Sequence, residues 1–224
     1  MRAALVRQLI ALLALPVAAF AQGTVTGRLT LAERGGAPAP DVDQAVVYLE
    51  SNAPMPPWAS FSERIVMRGR EFLPHVQVVA AGGEVGFPND DPYSHNVFSN
   101  TALSGFDLGL YRRGVTRAAR FARPGVYPIY CNIHHRMVSF VVAVPNAYAA
   151  RPASDGTFAI RGVPPGSYVL HAWHERAGER TMPVTVGPSG AAELRVELDA
   201  RQYAPAPHLN KFGLPYTATR ADRY

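Results

Sequence analysis

Cysteine occurs once in this sequence, at position 131, so no disulfide can form within the chain. A single thiol outside the cytoplasm is buried and inert, paired with another chain, or held by a metal. Windows free of proline and glycine are also scarce. With 20 prolines and 19 glycines, little room is left for an uninterrupted amphipathic helix, which argues against a helical fold. No Lys/Arg cluster with interleaved aromatics occurs, so nucleic acid is a poor partner. No apolar run reaches the roughly 20 residues that a membrane-spanning helix needs.

The longest apolar run, Gln8 to Phe20, instead reads as part of an export signal. Arg2 and Arg7 precede it, and Ala19-Phe20-Ala21 supplies the small-x-small pattern of a cleavage site. Residues 1–21 are therefore expected to be a cleaved signal peptide, giving a periplasmic protein that begins near Gln22; the alternative is a retained anchor. No cysteine near the cut indicates a lipid anchor, and the two arginines are not adjacent, as a twin-arginine signal requires. The chain has 22 basic and 17 acidic residues; removing Arg2 and Arg7 lowers the net charge from +5 to +3. This mild, scattered excess supports no more than a weak preference for an acidic partner protein.

What the mature chain does have is strand signal. Thr24–Leu31, Ala45–Leu49, His75–Ala80, Glu84–Phe87, His95–Phe98 and Val126–Cys131 are apolar or alternating runs. Val138–Val144, Thr157–Arg161, Ser167–Trp173, Met182–Val186 and Ala192–Leu198 continue the series, mostly bounded by Gly, Pro, Asn or Asp. The expected fold is all-β, of sandwich type. Leu103–Gly114 is less regular and reads as a loop or a turn of helix. Ala53–Trp58 reads as a linker, and Pro145–Pro152 closes the block that follows it. Residues 60–145 carry all the clustered His, Cys and Met, whereas 23–50 and 153–199 read as two parts of one further β unit. Residues 201–224, rich in Pro, Tyr and Arg, read as an extended tail without strand period, either laid across the surface or disordered.

Within that further unit, Gly23-Thr24-Val25-Thr26-Gly27 opens a strand, Asp155-Gly156-Thr157-Phe158 is a turn entering a strand, and Pro164-Pro165-Gly166-Ser167-Tyr168 is a second such turn. These motifs resemble the carboxypeptidase regulatory-like, transthyretin-related β-sandwich. The resemblance implies a small sandwich interrupted by, or packed against, the central block.

The strongest local signal is Tyr130-Cys131-Asn132-Ile133-His134-His135-Arg136-Met137, a tight loop between two strand runs. A thiolate, an imidazole and a thioether within seven residues can converge on one ion. Soft sulfur donors with imidazole favour copper, and Cys-His-His with a weak axial Met is the blue-copper arrangement. The second imidazole must come from a distant strand, and His95 stands where the run from Asn89 turns into one. His135 neighbours His134 as an alternative ligand; the x-x spacing on both sides favours His134. His171 and His174 are three apart in a strand, so they face opposite ways rather than one ion. His75, His208 and Trp173 read as structural, the last as a core aromatic of the second sandwich.

The Cys-x-x-His-x-x-Met loop with an upstream His resembles the plastocyanin, azurin and amicyanin family of cupredoxins. The resemblance implies one copper ion held by His95, Cys131, His134 and Met137. It also implies a role for Asn96, as the polar residue after the first His, in hydrogen bonding near the Cys sulfur. A broader likeness is to plastocyanin-like proteins labelled methylamine utilization proteins. It includes Arg123-Pro124-Gly125-Val126 and Val169-Leu170-His171-Ala172-Trp173-His174. The expected function is single-electron transfer between periplasmic redox partner proteins, without catalysis. Two alternatives stay open: a copper carrier or storage protein, and a surface-binding module with structural copper. Paired His-x-His motifs are absent, which argues against a multicopper oxidase or nitrite reductase.

Overall fold

The structure is a computed structural model that describes residues 22–51, 63–205 and 207–216. The expected signal peptide and the Ala53–Trp58 stretch lie outside the described residues. Two single turns of 3-10 helix, Arg34–Gly36 and Val42–Gln44, are the helical segments among the described residues. The rest is strand and loop. In chain order the strands are β1 (Gly23–Ala32), β2 (Val46–Glu50), β3 (Glu63–Arg64), β4 (Val66–Arg68), β5 (Glu71–Leu73) and β6 (Val76–Ala80). There follow β7 (Gly83–Pro88), β8 (His95–Ser99), β9 (Phe106–Tyr111), β10 (Thr116–Phe121), β11 (Gly125–Tyr130) and β12 (Val138–Val144). The last are β13 (Ala149–Ala150), β14 (Thr157–Val163), β15 (Gly166–His174), β16 (Gly178–Val186) and β17 (Gly190–Asp199).

Four sheets stack as layers around three apolar cores. The outer sheet β14-β1-β17 faces the sheet β13-β2-β15-β16 across a core that includes Val25, Leu29, Leu49, Ile160, Leu170 and Val196. The five-stranded sheet β6-β12-β11-β8-β9 faces β10-β7-β3 across a second core, which includes Phe87, Phe121, Tyr127, Ile129, Cys131 and Met137. Between the two inner sheets lies a third core of Val46, Val76, Val142, Val144 and Trp173. The inner strands are thus covered on both faces, which explains why their sequences run apolar without a break. Val141 and Ala143 point to one core while Val142 and Val144 point to another. Val47 and Leu49 alternate with Val46 in the same way.

Several features depart from expectation, among them the short strands β3, β4, β5 and β13, which match no expected run. Leu103–Gly114 contains an edge strand, β9; its alternation is broken by Gly109 at φ 70° and by a register shift opposite Asn96 and Phe98. Strand β10, Thr-Arg-Ala-Ala-Arg-Phe, was not expected because Ala and Arg are weak strand formers. It forms because it pairs with β7 along its whole length and buries Ala119 and Phe121. Trp173 is a correction too. It sits in the junction between the inner sheets, with its ring 5.3 Å from that of Phe140, rather than in the core of the second sandwich. The neighbouring Ala172 takes the inward place, because adjacent strand residues face opposite sides.

Buried His174 gives this part of the fold a pH response. Its Nε2–H donates to the Asp41 carbonyl (3.2 Å), and its Nδ1 accepts the Arg176 amide (3.2 Å), a pairing that suits the neutral ring. Burial lowers its pKa from the ordinary value, outweighing the pull of Asp41. A histidine depressed in this way takes up more protons when unfolded, so its contribution to stability is lost as pH falls below about 6.5. Denaturation midpoints should therefore drop below that pH. The slope contributed by this residue is at most about 1.4 kcal/mol per pH unit, and His174→Gln should flatten it.

Candidate metal centre

The five-stranded sheet brings two remote pieces of chain to one end. Strand β11 lies between β8 and β12, and its last residue, Tyr130, pairs with Phe98 on one side and Val138 on the other. His95, at the start of β8, therefore stands beside the loop that leaves β11. That loop is closed by its own backbone: the Cys131 N–H donates to the Met137 carbonyl (3.2 Å), and the Met137 N–H to that of His134 (3.0 Å).

Three donor atoms converge there. His95 Nδ1 and His134 Nδ1 are 3.1 Å apart, and Cys131 Sγ is 3.9 Å from the first and 3.8 Å from the second. The circle through a triangle of those sides has a radius of about 2.1 Å. Zinc–nitrogen bonds of about 2.0–2.1 Å and zinc–thiolate bonds of about 2.3 Å, taken as a guide to a first-row metal ion, bracket that figure. One ion at the centre would reach all three donors without moving them. Among the described residues this is the one group of three or more His, Cys, Asp or Glu side chains so placed. One soft thiolate with two imidazoles is a donor set that suits copper. Met137 is 1% exposed and lies in the same core as Cys131. His135 stands outside the triangle, exposed, with its ring 6.2 Å from Tyr216.

The surroundings hold the donors in place. His95 is fully buried, and its Nε2–H donates to Asp91 Oδ2 at 2.8 Å, which turns the Nδ1 lone pair toward the triangle. Asp91 is itself fixed by the hairpin between β4 and β5, whose Gly69 and Arg70 amides donate to its two oxygens at 2.6 and 2.8 Å. Both hairpin residues have positive φ, 65° and 62°, as a two-residue I′-type turn requires. Burial alone would raise the Asp91 carboxyl, but the Arg70 amide, the His95 ring and the Gly69 amide outweigh it and hold it low. At Cys131, burial pushes the thiol up against the backbone amides of His134, Ile133 and Asn96, which pull the other way. Metal uptake therefore has to displace a proton from this sulfur.

The Asn96 contact to the sulfur is made by its backbone amide. Its Nδ2 instead donates to Asp107 Oδ1 at 2.6 Å. The other histidines serve elsewhere: His75 pairs with Glu175 (2.8 Å), and His171 stacks on Tyr48 between Glu50 and Glu179. Asp91 and Asp107 were assigned no role from the sequence. An acid before proline reads as a turn residue, and the only hint was the four-residue interval from Asp91 to His95.

The Asp91 contact carries a prediction. Partners of metal-ligating imidazoles typically contribute 10- to 100-fold to metal affinity. Asp91→Asn should weaken metal binding by about that factor, read by competition titration, with little change in the fold.

No family model and no curated protein sequence matches this chain. Several solved structures match in part. An amicyanin from Paracoccus versutus is 18% identical, with a TM-score of 0.36 over 44% of this chain and 97% of that one. A purple cupredoxin from Nitrosopumilus maritimus is 22% identical, with a TM-score of 0.34 over 37% of this chain and 100% of that one. A Cu-containing nitrite reductase (NirK) from Thermus scotoductus SA-01 is 22% identical, with a TM-score of 0.36 over 39% of this chain; the match spans 25% of the reductase chain. The likeness is partial in each case, so the centre rests on its own geometry. Fold and site together define an all-β protein with a His-Cys-His group, His95 and Cys131 buried and His134 half-buried, placed to hold a metal ion.

Proposed function

We propose that this chain is a type 1 copper protein that passes single electrons between redox partner proteins, with His95, Cys131, His134 and Met137 as its ligands. The observation that carries the reading is the triangle of His95 Nδ1, His134 Nδ1 and Cys131 Sγ, sized for one ion and built from the donors copper prefers. Copper, when bound, supplies a one-electron Cu(I)/Cu(II) couple. The chain's part is to keep the donors still. Asp91 locks the His95 ring, and three backbone amides hold the Cys131 sulfur. The loop's internal hydrogen bonds hold His134 and Met137 in register. Donors held this way favour neither oxidation state by moving, so little reorganisation accompanies electron gain or loss. The Met137 thioether stands as the weak fourth ligand.

The export signal read in residues 1–21 and the lone cysteine fit work outside the cytoplasm, where a thiol held by metal is protected from stray oxidation. The outer β layers act as a scaffold for the site, and the reading assigns no catalysis to the chain. Voltammetry of the copper-loaded protein tests it. A reversible one-electron wave with a stable Cu(II) form is expected. Tight Cu(I) binding without a stable Cu(II) form would overturn the electron-transfer reading in favour of a carrier.

A further inference from the structure

Residues 208–216, beyond β17, lie along the metal loop and touch it at four of its residues. The His208 ring stacks on Tyr130, with centroids 4.0 Å apart and planes 17° apart. His208 Nε2–H donates to the His135 carbonyl at 2.7 Å. The Lys211 N–H donates to Asn132 Oδ1 at 3.0 Å, and the Tyr216 hydroxyl donates to the Cys131 carbonyl at 2.9 Å. The ammonium of Lys211, the only lysine in the sequence, also reaches Asp107 Oδ2 at 2.7 Å. The other oxygen of that carboxylate holds Asn96, the neighbour of His95.

The segment has its own internal brace. Asn210 Oδ1 accepts the amides of Phe212 and Leu214, and the Asn210 N–H donates to the Leu214 carbonyl. His208 and Tyr216 are thereby folded back toward each other, with ring centroids 5.1 Å apart, and both reach the same loop. Phe212 and Leu214, at the tip of this turn, face solvent at 70% and 60% exposure.

We propose that this C-terminal segment is a strap belonging to the metal centre, with His208, Lys211 and Tyr216 as positioning residues. Through Tyr130, Cys131, Asn132 and His135 the strap fixes the loop that carries Cys131 and His134. Through Lys211 and Asp107 it ties that loop to the strand that carries His95. The two halves of the donor triangle come from segments 36 residues apart in sequence, and the strap is a connection between them made outside the sheet. None of its contacts uses the His95, Cys131 or His134 donor atoms, so the strap can hold the loop with or without an ion. The proposal rests on reading that loop as the metal centre, but its action on the loop can be measured without metal.

The test is amide hydrogen exchange of the metal-free, full-length protein, followed by mass spectrometry over residues 131–137. Losing one net hydrogen bond changes an opening equilibrium about fivefold. Tyr216→Phe should speed exchange in that segment by about that factor, and His208→Ala with Tyr216→Phe by about tenfold or more. Exchange in β1, β14 and β17 should stay unchanged. His208→Phe, which keeps the stack on Tyr130, should restore part of the protection lost in His208→Ala, and Leu214→Ala, at an exposed side chain, should have no effect. On copper-loaded samples the double variant should also alter the spin-resonance spectrum. Unchanged exchange over 131–137, or exchange that rises equally in β1, overturns the strap. If exchange rises as expected but the protein takes up no copper, the copper reading falls and the strap stands.

Discussion

Cys131→Ala should abolish the intense visible absorption of the copper-loaded protein while leaving the chain folded. The intense band of such a site comes from charge transfer between sulfur and copper, and the sequence offers no second cysteine to replace the first. Affinity should fall as well. Structural zinc sites with four protein ligands bind with roughly 10–16 kcal/mol, or about 2.5–4 per ligand, so on that scale losing the thiolate should weaken binding by about two orders of magnitude. The fold should survive because the change removes a single buried sulfur. The stability cost should be about 1–2 kcal/mol, the range of a small buried truncation. Copper titration followed by absorption reads the first effect, and denaturant unfolding of the metal-free protein reads the second. A variant that keeps the band would mean that the sulfur is not a ligand.

The largest effect on stability should come from the junction of the two inner sheets. Trp173 is 6% exposed, and its ring packs on Phe140 among Val46, Val76, Val142 and Val144. Replacing a buried tryptophan with alanine typically costs about 3–5 kcal/mol, because the cavity does not collapse around the smaller side chain. Trp173→Ala should lose about that much in denaturant unfolding. The transition should also broaden or split, because this junction lets the two outer cores unfold as one. Val169→Ala, on the same strand but 42% exposed, should cost less than about 0.5 kcal/mol.

These two residues also mark what was legible in the sequence. The all-β class was legible because proline and glycine punctuate the chain and the runs between them are strand-like; Thr24–Leu31 lies within β1, and Val138–Val144 is β12. The metal loop stood out because its three donor types fall within seven residues, and the structure brings His95 to it across the sheet. What stayed hidden depends on partners remote in sequence. Trp173 was placed in the wrong core because alternation shows that a residue faces away from its neighbours, not which layer it meets. Strand β10 has too little apolar content to announce itself without β7 beside it. Asp91 acquires its role from the Gly69–Arg70 turn some twenty residues earlier. Residues 208–216 had no period to read, because their order comes from the loop they lie on.

The central claim is that the His95, Cys131 and His134 donors hold copper for electron transfer. Metal analysis of the purified protein, with absorption and spin-resonance spectra of the same sample, tests it most directly. One copper per chain, an intense sulfur-to-copper band and a Cu(II) signal that disappears reversibly on reduction are the expected result. Stoichiometric zinc, no bound metal, or copper without that band would contradict it.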